Sequence, residues 1–510
     1  MAVFCIALAA TLGLSEELES SRPAKAGSAG DRLNVVLIVS DDQRAGTDGV
    51  MPTVERLLGG DGVTFSNFHV TTSECCPSRA SILLGEYSHN TGVTDNFGRH
   101  SYPAFNEQSN LAVWLHDAGY GTALVGKYLN DYPIDAPRHV PPGWDTWVAM
   151  ASAPEEKYYD YTLNENGRLV HYGRTPSDYS TTVETHKALR FLRRVNGPFF
   201  LYFAPAPPHL PAIPAVRDRG SLRALPPYRS PSFDEADISD KPWSPWHWRR
   251  LTEEAKDYVA NDVRRRQLES LRSLDRSVAA IVATLRKRDM LDRTVILYLS
   301  DNGFLWGEHR LGGKIWPYEE STHVPLVVRT PWTEGDGSVD QHAVLNIDLA
   351  STISELAGIS PGGPQDGYSF VPLLHGLPEL WRSDFLVEYR GHNLLRAGGP
   401  PGFVGIHTPR YLYVEYRHFR WQELYDHESD PWELLNVAES VDYAQVRCDL
   451  HLRLNALLAL APHPGSERQP LPLRATSARR PAGARCVSPT ERPGPSFRTS
   501  RARAALGGGQ

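Results

Sequence analysis

NVVLIVSDD, Asn34–Asp42, holds five consecutive apolar residues, three of them valine, and then stops at two carboxylates. A run this short and this rich in β-branched residues reads as a strand buried on both faces. Three more stretches have the same form: GTALVGK (121–127), PFFLYFA (198–204) and TVILYLS (294–300). Helical patterns lie between them. In DVRRRQLESLRSLDRSVAAIVATLRKR (262–288), Leu268, Leu271, Leu274, Val278, Ile281, Val282 and Leu285 recur at helical spacing. Strands alternating with helices predict an α/β fold with a largely parallel sheet.

Each strand gives way to polar residues. The first ends in Asp41-Asp42, the second in Gly126-Lys127, and the fourth in Asp301-Asn302-Gly303. The third leads through Pro-Ala-Pro-Pro to His209. In open α/β sheets the ligand site lies beyond the carboxyl ends of the strands. If the four strands are parallel neighbours, these side chains share one rim.

Asp41, Asp42, Asp301 and Asn302 offer oxygen donors, which suit a hard cation, Ca2+ or Mg2+, better than zinc. Gathered carboxylates repel one another, and a divalent ion removes that cost. Taken singly, Asp-Asp also suits a helix N-cap and Asp-Asn-Gly a turn. Their shared position after apolar strands favours the metal. Arg79, Lys127, Lys314 and His209 would add positive charge and a proton carrier, a set that fits an oxyanion substrate such as sulfate or phosphate.

TSECCPSRASILLGE, Thr72–Glu86, carries two of the five cysteines side by side, where a helix begins. A helix N-terminus and Arg79 favour an anion there, so Cys75 reads as a thiolate nucleophile with a lowered pKa. A soft thiolate fits poorly beside a hard cation, which points to a side chain that does not stay a thiol. Bridges from Cys75 or Cys76 to Cys448 or Cys486 are open on sequence alone.

The totals bound the class. With 510 residues, 41% apolar, 12 Trp and 22 Tyr, the chain can bury a large core. Five cysteines are too few for a disulfide framework. A net charge of −7 gives no basic face for nucleic acid. Met1–Leu14 resembles the apolar part of a signal peptide without its positive flank. No later stretch is long and apolar enough to span a bilayer, and no Asn-x-Ser/Thr sequon occurs. Residues 461–510, rich in Pro, Arg, Ala and Gly, read as a disordered tail.

Cys75-Cys76-Pro77-Ser78-Arg79 resembles the Cys-x-Pro-Ser-Arg signature of type I, formylglycine-dependent sulfatases in the alkaline-phosphatase superfamily. Within that family the likeness is to N-acetylglucosamine-6-sulfatases. VSDDQ, GKYLNDY, HVPPGWDTW, KYYDYTLNENG, PAPPHLP, SDNGF, VPLVVRTP, NIDLASTISELAGI and ELYDHESDPWELLNVA keep the family order from Asn34 to Ala438.

The resemblance implies that a formylglycine-generating enzyme oxidises Cys75 to formylglycine (3-oxoalanine), whose hydrate attacks sulfur and later expels sulfate. It implies Ca2+ held by Asp41, Asp42, Asp301, Asn302 and the modified Cys75. Arg79, Lys127 and Lys314 would stabilise the diol and the sulfuryl oxygens, and His209 would protonate the leaving alcohol. The implied substrate is a sulfated carbohydrate, met outside the cytoplasm.

Two departures stand out. Leu129 occupies a position where many sulfatases have a histidine, which leaves the base for sulfate elimination unassigned. Leu84 replaces the usual Thr of Leu-Thr-Gly. The family architecture implies a leader and linker over 1–32 and a catalytic domain over 33–380. A small C-terminal α+β domain over 381–460 would precede the tail, with strands at 384–390 and 410–417 and a closing turn at ELYDHESDPWE. Phosphate or phosphonate monoester hydrolysis on the same scaffold, and a catalytically silent binding protein, are the rival readings.

Overall fold

The computed structural model describes residues 32–459 except 133–134, 152–156, 244–248, 334, 378–379 and 391–398. The expected leader and linker, Arg32 apart, and the expected tail lie outside the described residues.

A sheet of ten strands organises the chain. In chain order these are β1 (Asn34–Ser40), β2 (Val63–Phe65), β3 (Gly121–Gly126), β4 (Thr146–Met150), β5 (Tyr161–Glu165), β6 (Arg168–Tyr172), β7 (Phe199–Ala204), β8 (Thr294–Ser300), β9 (Leu326–Arg329) and β10 (Ser338–Asp340). Across the sheet the order is β10-β2-β9-β8-β1-β7-β3-β4-β5-β6. The central strands β8, β1, β7, β3 and β4 are parallel. Antiparallel pairings enter only towards the edges, through β9 and β5. All four strands read from the sequence lie in the parallel centre.

Alternation along β1 explains why the run has no polar face. Val35, Leu37 and Val39 pack into one core layer, and Val36 and Ile38 into the other. Each such buried side chain contributes about 1.5–3 kcal/mol. The first layer is covered by α1 (Cys75–Leu84), α2 (Leu111–Asp117) and α5 (Asp348–Leu356). The second is covered by α3 (Ser180–Arg194) and the long α4 (Arg264–Lys287). The seven apolar residues that predicted α4 are all buried.

α1 is buried along its whole length, as its sequence of small and apolar residues requires. It stops at Gly85, whose left-handed φ of 76° and N–H to the Ser81 carbonyl make an ordinary glycine C-cap.

A second, four-stranded antiparallel sheet lies C-terminal to the first: β11 (Phe385–Tyr389), β12 (Phe403–His407), β13 (Tyr411–Tyr416) and β14 (Trp421–Asp426). One face shares a core with Trp243, Trp316 and Tyr318. The other is covered by α6 (Ala444–Ala459) through Leu450 and Leu454. The sequence Glu423–Asp426, expected in a turn, is strand. Glu423 is fully buried and accepts hydrogen bonds from the hydroxyls of Tyr318, Tyr416 and Tyr425, which make a charged residue fit a core strand. The turn comes after Asp426.

Candidate active site

Strand register builds the rim. β1 and β8 pair from Asn34↔Thr294 to Ser40↔Ser300, so both run out together. Asp41 then leaves β1 beside Asp301, and Asp42 beside Asn302. The Asp301 N–H donates to the Ser40 carbonyl at 3.2 Å, and the Asp42 N–H donates to Asp301 Oδ1 at 3.2 Å. Asp42 has a φ of 71°, a left-handed conformation that Asp tolerates better than most residues.

On the other side of β1, β3 ends at Gly126 with a φ of 119°. A Cβ there would stand 2.1 Å from the Ala204 carbonyl oxygen of β7. Only glycine allows this close approach, which turns Lys127 inward.

α1 presents Cys75 and Arg79 one turn apart on one face. Arg79 Nε donates to Asp301 Oδ2 at 2.7 Å, its NH1 donates to the Lys127 carbonyl at 3.1 Å, and its NH2 lies 3.6 Å from Asp41 Oδ2. Lys127 Nζ donates to the same oxygen, Asp41 Oδ2, at 2.9 Å. Cys75 Sγ lies 3.6 Å from Asp41 Oδ1 and 2.6 Å from Lys314 Nζ. Lys314 also donates to Asp42 Oδ1. His209 Nε2 lies 3.5 Å from Asp42 Oδ2. Its Nδ1 lies 2.6 Å from the Leu210 carbonyl, which can only accept, so Nδ1 carries the hydrogen and Nε2 faces the rim. All nine side chains singled out in the sequence meet here.

The electrostatics come from burial and pairing. Burial pulls the Asp41 carboxyl up, but Lys127, His209, Arg79 and Lys314 together hold it well below the usual carboxylate range. Burial and then repulsion from Asp41 raise Asp301, despite Arg79. The expected low-pKa thiolate is not found. Burial pushes the Cys75 thiol well above its ordinary value, and the pull of Lys127 and Lys314 does not overcome it. Cys75 and Cys76 are both free, so neither bridges Cys448 or Cys486.

The donor set fits a hard cation. Asn302 Nδ2 donates to Asp42 Oδ1 at 2.7 Å and to the Gly303 carbonyl at 2.9 Å. That orientation leaves Asn302 Oδ1 buried without a partner. An unmatched amide oxygen among three carboxylates is what Ca2+ or Mg2+ recognises. One donor atom each from Asp41, Asp42, Cys75 and His209 also lies within 4.8 Å of the others.

Leu129 and Leu84, the two departures, are buried in the core layer that also holds Val35, Leu37 and Val39. Sequence reasoning missed two neighbours. The Tyr158 hydroxyl donates to the His209 carbonyl at 2.7 Å and steadies its loop. Glu74, the N-cap of α1, is 4% exposed, and its Oε2 has no partner. Burial, with Asp95 nearby, raises it to about 8. A glutamate before a helix looks like an ordinary cap, and nothing in the sequence marked it as buried.

Residues 33–359 match the sulfatase family, and residues 307–459 match the C-terminal family of N-sulphoglucosamine sulphohydrolase. N-acetylglucosamine-6-sulfatase of Capra hircus is 33% identical over 482 residues, covering 84% of this chain and 83% of that protein. An extracellular sulfatase SULF-1 homolog of Drosophila melanogaster is 32% identical over 379 residues, 71% of this chain and 33% of that one. A protein solved with its substrate D-glucosamine-2-N,6-O-disulfate superposes with a TM-score of 0.73 at 24% identity, covering 84% of this chain and 98% of that one. A parallel sheet with this rim, and matches over most of the chain, make it a member of the sulfatase family, the hydrolases of sulfuric esters.

Proposed function

We propose that this sulfatase removes sulfate from a sulfated carbohydrate such as 6-sulfated N-acetylglucosamine in a glycan, with Cys75 matured to formylglycine and Ca2+ on the rim. The observation that carries the reading is the placement of Cys75 at the start of α1, between Asp41 and Lys314. Its Sγ stands where an oxygen of the modified side chain would sit. As a buried, protonated thiol it is a poor nucleophile; a hydrated formylglycine supplies a hydroxyl in its place.

Asp41, Asp42, Asp301 and Asn302 would hold the cation, which supplies positive charge for the sulfuryl oxygens. Mg2+ would fit the same oxygen donors, and a set of four side chains joined by the modified Cys75 and the substrate favours Ca2+, which takes about six to eight oxygens. Arg79 and Lys127 are locked by Asp301 and Asp41, so their charge is oriented before substrate arrives. Lys314, touching both Asp42 and Cys75, holds the nucleophile and offers a proton donor to a substrate oxygen. His209 Nε2 faces the same space and, protonated, would pass its proton to the leaving alcohol. Tyr158, from the stretch KYYDYTLNENG, donates to the His209 carbonyl and so steadies the acid.

The catalytic unit would run over 33–380 and the small C-terminal unit over 381–460, acting outside the cytoplasm. No described helix is long and apolar enough to cross a membrane.

The test is a substrate panel on protein made with a formylglycine-generating enzyme. Release of sulfate from N-acetylglucosamine 6-sulfate well above release of phosphate from the 6-phosphate supports the reading. Preference for the phosphate or a phosphonate monoester favours the rival hydrolase, and inactivity of the matured protein on every ester favours a silent binder.

A further inference from the structure

We propose that a second metal site, for Zn2+, lies in the seam between the small sheet and the segments outside the ten-stranded sheet that it packs on, with His69, Glu319 and His407 as ligands. His69 is on the short strand Phe68–His69, Glu319 opens the one-turn helix Glu319–Thr322, and His407 ends β12. One donor atom from each lies within 4.8 Å of the other two.

The two imidazoles carry the inference. His69 is 1% exposed and His407 6%. Nδ1 of each is buried with no hydrogen-bond partner. His69 Nε2 lies 2.9 Å from Asn67 Oδ1, and Asn67 Nδ2 donates to the Gln341 carbonyl at 3.3 Å, which orients that amide. The hydrogen of His69 is therefore on Nε2, and Nδ1 presents a bare lone pair. His407 Nε2 faces Glu319 Oε1 at 2.6 Å, so an ion shared with Glu319 would take Nε2, and the unpartnered Nδ1 on the far side of the ring would carry the hydrogen. Buried lone pairs without donors are rare, because they forfeit hydration for nothing. The bare Nδ1 of His69, with His407 Nε2 and the Glu319 carboxylate, forms an N/O set suited to zinc, unlike the oxygen-rich rim.

The surroundings are built as an outer shell. His323 Nδ1 lies 3.3 Å from Glu319 Oε2. The Glu319 N–H donates to Glu433 Oε2 at 3.2 Å, and His427 Nε2 pairs with Glu433 Oε1 at 3.0 Å. Such partners orient ligands and tune their affinity. The Glu319 and His323 side chains are 28% and 30% exposed, which gives the ion a way in. The ion would clamp β12 of the small sheet to the short strand Phe68–His69 and the helix Glu319–Thr322.

The test uses the full chain with Cys75→Ser, stripped of metal and returned to Ca2+, so that the rim is filled and its thiol removed. Co2+ is then titrated. One equivalent should bind with strong visible d–d bands and no thiolate band in the near ultraviolet. Zn2+ should displace it and raise Tm. His427→Gln should weaken uptake by about 10–100-fold while the fold persists, and His69→Gln should abolish it. Uptake well below one equivalent, a thiolate band, or a Tm unmoved by Zn2+ would overturn the site.

Discussion

The rim and the seam both bury carboxylates, and they neutralise them with different partners. At the rim, Asp41 and Asp301 face Arg79 and Lys127, side chains that only donate hydrogen bonds. In the seam, Glu319 and Glu433 face imidazoles, each of which has a second ring nitrogen that can accept or bind a metal. Fixed cations preorganise a field for an anionic transition state. Imidazoles offer lone pairs. A third case sets the baseline: Glu184 on α3 is buried, both its oxygens lack partners, and burial alone raises it to about 8. The contrast shows that the partner, not the burial, decides what a buried carboxylate can do.

The largest test of the rim is removal of its centre. Cys75→Ala should lower kcat by about 10^4–10^6-fold, as loss of a nucleophile does elsewhere, with little change in Tm. Arg79→Met strands Asp301 and Asp41 as buried charges. Chemical denaturation should show a loss of about 3–5 kcal/mol, and activity should vanish with it.

His209→Gln should cost about 10^2–10^4-fold in kcat on a sugar sulfate. The loss should shrink on an aryl sulfate, whose leaving group needs no proton; equal losses on both would remove His209 as the acid. Gly126→Ala keeps every charge and moves Lys127. Backbone strain alone should cost about 1–3 kcal/mol, and kcat should fall although no rim side chain has changed.

Glu184→Gln should have the smallest effect and a distinct pH signature. The folded carboxyl titrates near 8 against 4.5 for the free group, so the folded state keeps a proton that the unfolded chain releases. Its stabilising contribution is full below pH 4.5 and is lost as pH rises towards 8. The Tm advantage of the variant should therefore grow from near zero at pH 5 to a few degrees at pH 8. A constant offset would mean that Glu184 does not carry the proton.

The same contrast explains what the sequence could tell. Rim residues sit directly at strand ends, so Asp41, Asp42, Lys127, Asp301 and Asn302 are legible once four apolar runs are read as parallel strands. Cys75, Arg79 and His209 gain their meaning from a compact signature and a proline turn, and Lys314 from its place in the family order. The seam joins residues 69, 319, 407, 427 and 433 from separate segments, each of which reads as an ordinary surface histidine or glutamate. β14 is hidden for a related reason: Glu423 looks like turn chemistry until three tyrosines enclose it. The thiolate expectation fails because a helix N-terminus and two lysines are visible in sequence, whereas the depth of burial that outweighs them is not.

The most direct test of the account is the mass of the tryptic peptide Leu57–Arg79 from active protein, read together with its sulfatase activity. Conversion of the Cys75 thiol to an aldehyde, with activity proportional to the converted fraction, is the predicted result. Sulfate release by protein whose Cys75 remains a thiol would contradict it.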